Sequence, residues 1–211
     1  GRPYNARTAN LKDTRNSKLS KEIRQYMMED KWHPECVRCQ TESEAGMRSR
    51  QSYENEIWIN TGDYKWDELL SHTQKDGTID VDKIDCSFYD VRFGNLCNLR
   101  CRMCGPTDSS MWYEDQVKLW GPKYKDSHGP VNLVKNAKGK FEPDVNVYDW
   151  HQSDHYWQQM DANISEIKKL YIVGGEPLMI DRHYEFLQKC VDEGHAHKII
   201  VENNTNLINV P

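Results

Sequence analysis

Three cysteines that lie close together constrain this chain more than any other feature. They occur in the segment GNLCNLRCRMCGP, residues 94–106, at Cys97, Cys101 and Cys104. This C-x3-C-x2-C spacing lets one short loop present three thiolates to a metal site. A structural zinc site would require four closed ligands, and no other Cys or His lies within a few residues. A cubane iron–sulfur cluster has four irons, so three cysteines would leave one iron free to bind a substrate or cofactor.

The cysteine loop, residues 94–106, belongs to a repeating pattern of strands and helices. Strand-like segments occur at KIDCSFYDVRFGN, KKLYIVGGEP and HKIIVENNTNL, and helical patterns lie between them. This alternation predicts an α/β domain with a parallel sheet and helical crossovers. Ligands of such folds gather at the carboxyl ends of the strands. The cysteine loop, GGEP and NNTN each follow a strand, so we expect them to meet on one face.

Residues 1–80 have a different pattern, which predicts a small, mostly helical or irregular segment followed by a linker. The stretch SKLSKEIRQYMMEDKW has apolar residues at helical spacing. It predicts a helix that is capped by Ser17 or Ser20 and that ends at Pro34.

Residues 81–211 contain the strands. One helix is predicted from Pro106 to about Trp120, and DRHYEFLQKCVDEGH predicts another. Residues 121–160 include a long excursion rich in Lys, Asp, Asn, Gly and Pro, which in a compact fold is usually functional or an inserted surface element. The apolar face predicted for the last helix consists of Tyr184, Leu187, Cys190 and Val191.

The composition argues against several classes of protein. The net charge is -5 and the pI is near 5.9, whereas nucleic-acid binders usually carry clustered Lys and Arg, so we expect no nucleic-acid partner. The sequence contains no run of about 18 apolar residues, so we expect no membrane partner. The seven cysteines form an odd set with two tight clusters, unlike a disulfide framework. We therefore expect a cytoplasmic protein, and the abrupt ends suggest a piece of a longer one.

Taken in order, CNLRCRMC, GGEP and NTN resemble the motifs of the radical S-adenosylmethionine superfamily. The domain of that family is a full or partial (β/α)6 barrel. The resemblance implies that residues 81–211 form the first half of such a barrel, with its first three βα units and an insertion at about 121–160. It also implies that Cys97, Cys101 and Cys104 hold a [4Fe-4S] cluster whose unique iron is chelated by S-adenosylmethionine.

The resemblance assigns further residues to the cofactor. The residue before the last motif cysteine commonly lies near the adenine and is often aromatic in the family, whereas here it is a methionine. GGEP matches the segment that meets the methionine amino group, and NTN matches polar groups that reach the ribose hydroxyls and the methionine carboxylate. The residues assigned in this way are Met103, Gly174, Gly175, Glu176, Pro177, Asn204 and Asn206.

The resemblance implies a radical enzyme. The reduced cluster would cleave S-adenosylmethionine to a 5′-deoxyadenosyl radical that abstracts hydrogen from a substrate, and the electron would come from a donor such as flavodoxin or ferredoxin. Twitch-type auxiliary domains often accompany peptide-modifying or maturase members, so a peptide or protein side chain is the expected substrate. A small-molecule substrate is the alternative, and a non-catalytic zinc or iron–sulfur module for electron transfer or assembly is the competing reading.

A second cysteine pair, Cys36 and Cys39, lies in ECVRCQTESEAGMRSR. By spacing the pair could be half of a zinc site or half of an iron–sulfur site. The segment is similar to the cysteine-pair segment of twitch-type auxiliary domains, which bind an additional [4Fe-4S] cluster. The other ligands of such an auxiliary cluster are expected upstream of Gly1.

Overall fold

The computed structural model describes residues 4–60, 64–127, 129–145 and 147–208. The chain divides into two compact units, one built mainly from Ala9–Asp85 and the other mainly from Cys86–Pro211. This division lies slightly later than residue 80, because residues 81–85 belong to the first unit. There the Arg15 guanidinium donates to the backbone carbonyl groups of Val81, at 3.5 Å, and Asp85, at 3.4 Å.

The described part of the first unit is helical and irregular. Its helices are α1 (Leu11–Thr14), α2 (Lys18–Met28), α3 (Val37–Glu44), α4 (Arg50–Asn60) and α5 (Trp66–Ser71), with a 3-10 turn at Pro34–Cys36. Ser17 caps α2, since its side chain accepts a hydrogen bond from the Ser20 backbone nitrogen at 3.2 Å.

Helix α2 ends earlier than the sequence predicts. It stops at Met28 rather than at Pro34, because Asp30 adopts a left-handed conformation with φ of 53°. The Lys31 backbone nitrogen then donates to the Tyr26 carbonyl oxygen at 2.8 Å, which closes the turn. Pro34 instead opens the next 3-10 turn.

The second unit contains a parallel sheet and an antiparallel sheet. Its elements are β1 (Phe88–Arg92), α6 (Tyr113–Trp120), β2 (Lys123–Asp126), β3 (Gly129–Lys135), β4 (Phe141–Pro143), α7 (Asp154–Ala162), β5 (Lys169–Val173), α8 (Asp181–Asp192) and β6 (Ile200–Asn203). Among the described residues, β1, β5 and β6 pair in parallel in that order, and β2, β3 and β4 pair antiparallel. The parallel pairing of the three strands agrees with the sequence pattern. The closed or partial barrel stays a prediction.

The core of the second unit lies on the central strand β5. Leu170 and Ile172 are buried there, with Val91 of β1 opposite Ile172 in the register. Met160 of α7 and Phe186 of α8 are also buried, and the Phe186 ring lies 5.5 Å from that of Trp157. Helices α7 and α8 therefore contribute apolar side chains to one core.

The buried face of α8 differs from the predicted one. His183, Phe186 and Cys190 are buried, whereas Val191 is 56% exposed. The buried face of α8 is therefore rotated about the helix axis relative to the predicted face, because His183 is buried at a position that the apolar pattern had left polar. Cys190 is the only predicted member of the face that is fully buried among these described residues.

Two further elements differ from the sequence prediction. The helix after the cysteine loop begins at Tyr113, preceded by a 3-10 turn at Ser110–Trp112, rather than near Pro106. Strands β2, β3 and β4 form an antiparallel sheet within the excursion, where no strand was predicted. Val131 and Leu133 of β3 are buried and alternate with a more exposed Asn132, which is the period of a strand.

In the part of the chain that the structure describes, the helices are too short and too polar for any of them to cross a membrane.

Candidate functional site

The cysteine loop follows β1 directly and is held by side-chain contacts to its own backbone. Cys97 is buried, Cys104 is half-buried and Cys101 is exposed. The Leu99 backbone nitrogen donates to Sγ of Cys97 at 3.4 Å, and the Ser109 hydroxyl donates to the Leu99 carbonyl at 2.6 Å. The loop thus has a defined conformation with one thiol facing inward.

The three thiols are close enough to influence one another. Burial raises the pKa of the Cys104 thiol, and the negative charges of Cys101, Asp108 and Cys97 raise it further. Three thiolates on one loop repel each other, so a bound cationic metal centre would be needed to stabilise all three. The donor set therefore fits an iron–sulfur cluster chemically.

A single-ion site is not assembled around these thiols. Across residues 4–60, 64–127, 129–145 and 147–208, no three Cys, His, Asp or Glu side chains gather as one metal ion would require. A mononuclear zinc site needs all its ligands around one point, whereas the cysteines of a cubane cluster bind different irons.

The glycine pair of GGEP lies against the backbone of the cysteine loop. A Cβ atom on Gly174, whose φ is +131°, would lie 2.7 Å from the Phe93 nitrogen. A Cβ atom on Gly175 would lie 2.1 Å from the Leu96 carbonyl oxygen. The Gly175 nitrogen donates to the Gly94 carbonyl at 3.1 Å. These glycines therefore let two backbone segments of the protein itself approach each other closely.

Glu176 is almost completely buried, at 1% exposure, and both of its carboxylate oxygens accept hydrogen bonds. Its Oε1 accepts from the Leu178 nitrogen at 3.1 Å and from the Thr205 hydroxyl at 2.6 Å. Its Oε2 accepts from the Asn206 nitrogen at 2.7 Å. The resemblance implies that this segment meets the methionine amino group of the cofactor, which stays a prediction. In the structure the carboxylate ties the end of β5 to the end of β6, and Pro177 is buried at the start of a 3-10 turn beside it.

The asparagines after β6 have separate partners. The Asn206 side-chain amide donates to Oδ1 of Asn98 in the cysteine loop at 2.9 Å. The Asn204 side-chain amide donates to the Tyr171 hydroxyl at 2.8 Å and lies at the surface. All three motifs are therefore joined by hydrogen bonds at the carboxyl ends of β1, β5 and β6.

The remaining predicted residues stand apart from these contacts. Met103 is 92% exposed at the tip of the cysteine loop, so it covers nothing in the protein itself. Cys36 and Cys39 lie in the first unit, at the end of the 3-10 turn and in α3, and both are half-buried.

A cavity of about 500 Å³ lies beside the cysteine loop, and the sequence analysis did not find it. Its lining includes Arg92, Asp108, Lys125, Asp126, Tyr148 and Trp150. Arg92 and Asp108 form an ion pair there. The cavity is lined by residues from the end of β1 and from the β2–β3 region. Its only signal in the sequence was the length of the excursion within residues 121–160.

No family model matches this sequence, and neither the curated proteins nor the solved structures contain a significant match to it.

Proposed function

We propose that this chain is a radical S-adenosylmethionine enzyme. The observation that carries the proposal is the direct hydrogen bonding of the cysteine loop to GGEP and NTN. The Glu176 nitrogen donates to the Leu96 carbonyl at 2.7 Å, and Asn206 bonds both Glu176 and Asn98. Motifs far apart in the sequence therefore lie together at the carboxyl edge of the parallel sheet, where ligands of α/β folds bind, and this supports the proposal.

The residues of the chain have distinct roles in this proposal. Cys97, Cys101 and Cys104 hold a [4Fe-4S] cluster, which with bound S-adenosylmethionine supplies a carbon-centred radical that abstracts hydrogen. Glu176 and Asn206 fix the relative positions of the loops around the cofactor. Exposed groups beside them, which include the Met103 and Asn204 side chains, are available to contact it.

The substrate we propose is a peptide or protein side chain, and the electron donor is of the flavodoxin or ferredoxin class. Cys36 and Cys39 would contribute to an auxiliary [4Fe-4S] cluster. These parts of the proposal and the partial barrel rest on the resemblance of the motifs. The proposed cytoplasmic setting rests on the arrangement of the cysteines.

The proposal predicts a cluster that responds to the cofactor. We expect the protein reconstituted anaerobically with iron and sulfide, then reduced, to give the electron paramagnetic resonance signal of a reduced cubane. Adding S-adenosylmethionine should change the signal, because the cofactor binds the unique iron. Cys101→Ala should lose the signal, and since Cys101 is exposed, its removal should leave the core intact.

Cys190→Ala is the matched control, because Cys190 lies in α8 outside the cysteine loop and should not affect the signal. A tightly held zinc ion together with a spectrum that ignores S-adenosylmethionine would refute the proposal and favour the non-catalytic metal module.

A further inference from the structure

Two tyrosines and an aspartate of the second unit form one hydrogen-bonded chain. The hydroxyl oxygens of Tyr124 and Tyr148 lie 3.1 Å apart. One end of the chain reaches Asp126, whose Oδ2 lies 2.6 Å from the Tyr148 hydroxyl. Tyr148 and Asp126 both line the cavity beside the cysteine loop, so the chain ends in that cavity.

The hydrogen bonds of this chain have one direction. An ionised carboxylate only accepts, and each phenol has a single proton to donate. Tyr148 therefore donates to Asp126, so Tyr124 must donate to Tyr148. Both O–H bonds therefore point toward the carboxylate, and the proton of Tyr148 has an acceptor in place.

The chain is partly shielded from solvent and meets the cavity at one end. Asp126 is buried, whereas Tyr124 and Tyr148 are half-buried. Burial, and then the hydrogen bond to Asp126, raises the pKa of Tyr148 far above its usual range, so the phenol stays protonated. Tyr148 and Asp126 both line the cavity of about 500 Å³. An oxidisable group and its proton acceptor thus line the same cavity.

We propose that Tyr148 and Asp126 together deliver a hydrogen atom to a carbon-centred radical in this cavity, an inference that rests on the proposed function. One electron passes from the Tyr148 phenol to the radical carbon, and the phenolic proton moves to Oδ2 of Asp126. The acid so formed gives its proton to the same carbon, which completes a C–H bond and restores the carboxylate. The net change is one hydrogen atom moved, with a neutral phenoxyl radical left on Tyr148.

The chain also gives that phenoxyl radical a route away from the product. Tyr148 takes a hydrogen atom from Tyr124, whose hydroxyl oxygen lies 3.1 Å away. One electron from the flavodoxin- or ferredoxin-class donor and one proton from water then restore the phenol.

The first test needs no cofactor. Protein prepared with ring-deuterated tyrosine is frozen, irradiated with ultraviolet light and annealed, and the tyrosyl signal that survives is measured by electron paramagnetic resonance. We expect Tyr148→Phe, which removes the phenol, to lower the surviving signal about tenfold. The isosteric Asp126→Asn should have an effect of the same size, since the phenol then loses its hydrogen bond to a charged acceptor. Tyr4→Phe is the control, because Tyr4 is 58% exposed and outside the chain.

A second test uses the reconstituted protein with S-adenosylmethionine in D2O. The phenolic deuteron should appear in 5′-deoxyadenosine, and Tyr148→Phe should lower the deuterated fraction severalfold while cofactor cleavage continues. A surviving tyrosyl signal that is unchanged in both variants overturns this inference alone. Absence of any cofactor cleavage in the wild-type protein overturns the proposed function, whatever the photolysis shows. Circular dichroism of both variants separates either result from a failure to fold.

Discussion

Replacing Gly175 with alanine is expected to destabilise the second unit by about 3 kcal/mol or more. The new Cβ atom would lie 2.1 Å from the Leu96 carbonyl oxygen and 2.5 Å from the Leu96 carbonyl carbon. Both atoms belong to the backbone, so neither can move aside as a flexible side chain would. Separating the two segments would also break the 2.7 Å hydrogen bond from the Glu176 nitrogen to Leu96. Urea denaturation followed by circular dichroism gives the change in the free energy of unfolding.

Gly105→Ala is the matched control for this prediction. Gly105 lies in the cysteine loop, against which Gly175 packs, but a Cβ atom on Gly105 would meet nothing within 4 Å. We expect its free energy of unfolding to stay within about 0.5 kcal/mol of the wild-type value. Equal effects of the two substitutions would show that the contact between Gly175 and Leu96 does not matter to stability.

Removing the Glu176 carboxylate should have an effect of similar size. Glu176→Ala leaves the donors of Leu178, Thr205 and Asn206 without their acceptor. Each buried donor left unpaired costs about 1–3 kcal/mol, so the total loss should reach about 3 kcal/mol. Glu176→Gln should lose about 1–2 kcal/mol, because it keeps one acceptor oxygen and places an amide group against a donor. Urea denaturation provides these values.

Hydrogen exchange separates a local effect from a general one. The Asn206 amide should exchange faster in Glu176→Gln, whereas amides of β5 should stay protected. Glu185→Gln on α8 is the control, since its carboxylate is exposed and pairs only with Arg182 among the contacts described. Its effect should be within about 0.5 kcal/mol. Unchanged exchange at Asn206 would contradict the role of Glu176 as the tie between β5 and β6.

The three parallel strands were readable from the sequence because their signals are local. KKLYIV is a compact apolar run followed by a glycine pair, and it becomes β5. The meeting of the three motifs followed from one rule, that parallel strands end at the same edge. The contacts that join them required coordinates, because nothing local in the sequence pairs Glu176 with Asn206.

Residues 123–143 were not predicted as a sheet, because their strands carry few apolar residues. β2 reads KYKD, and its buried residue is the charged Asp126 rather than an apolar one. Val131 and Leu133 did alternate, but over too few residues to distinguish a strand from a loop. The tyrosine chain depends on this sheet, since Tyr124 lies in β2 and Tyr148 follows β4, so it was also invisible in the sequence.

The position of the glycine pair has a consequence for how such sequences evolve. Gly174 and Gly175 are required by the backbone of residues 93–96, whether or not any cofactor binds nearby. A descendant of this protein that lost its cysteines, and with them the proposed metal site, would still need both glycines to fold. Retention of the glycine motif in a diverged relative therefore reports a preserved architecture, whereas only retention of the cysteines bears on the proposed chemistry.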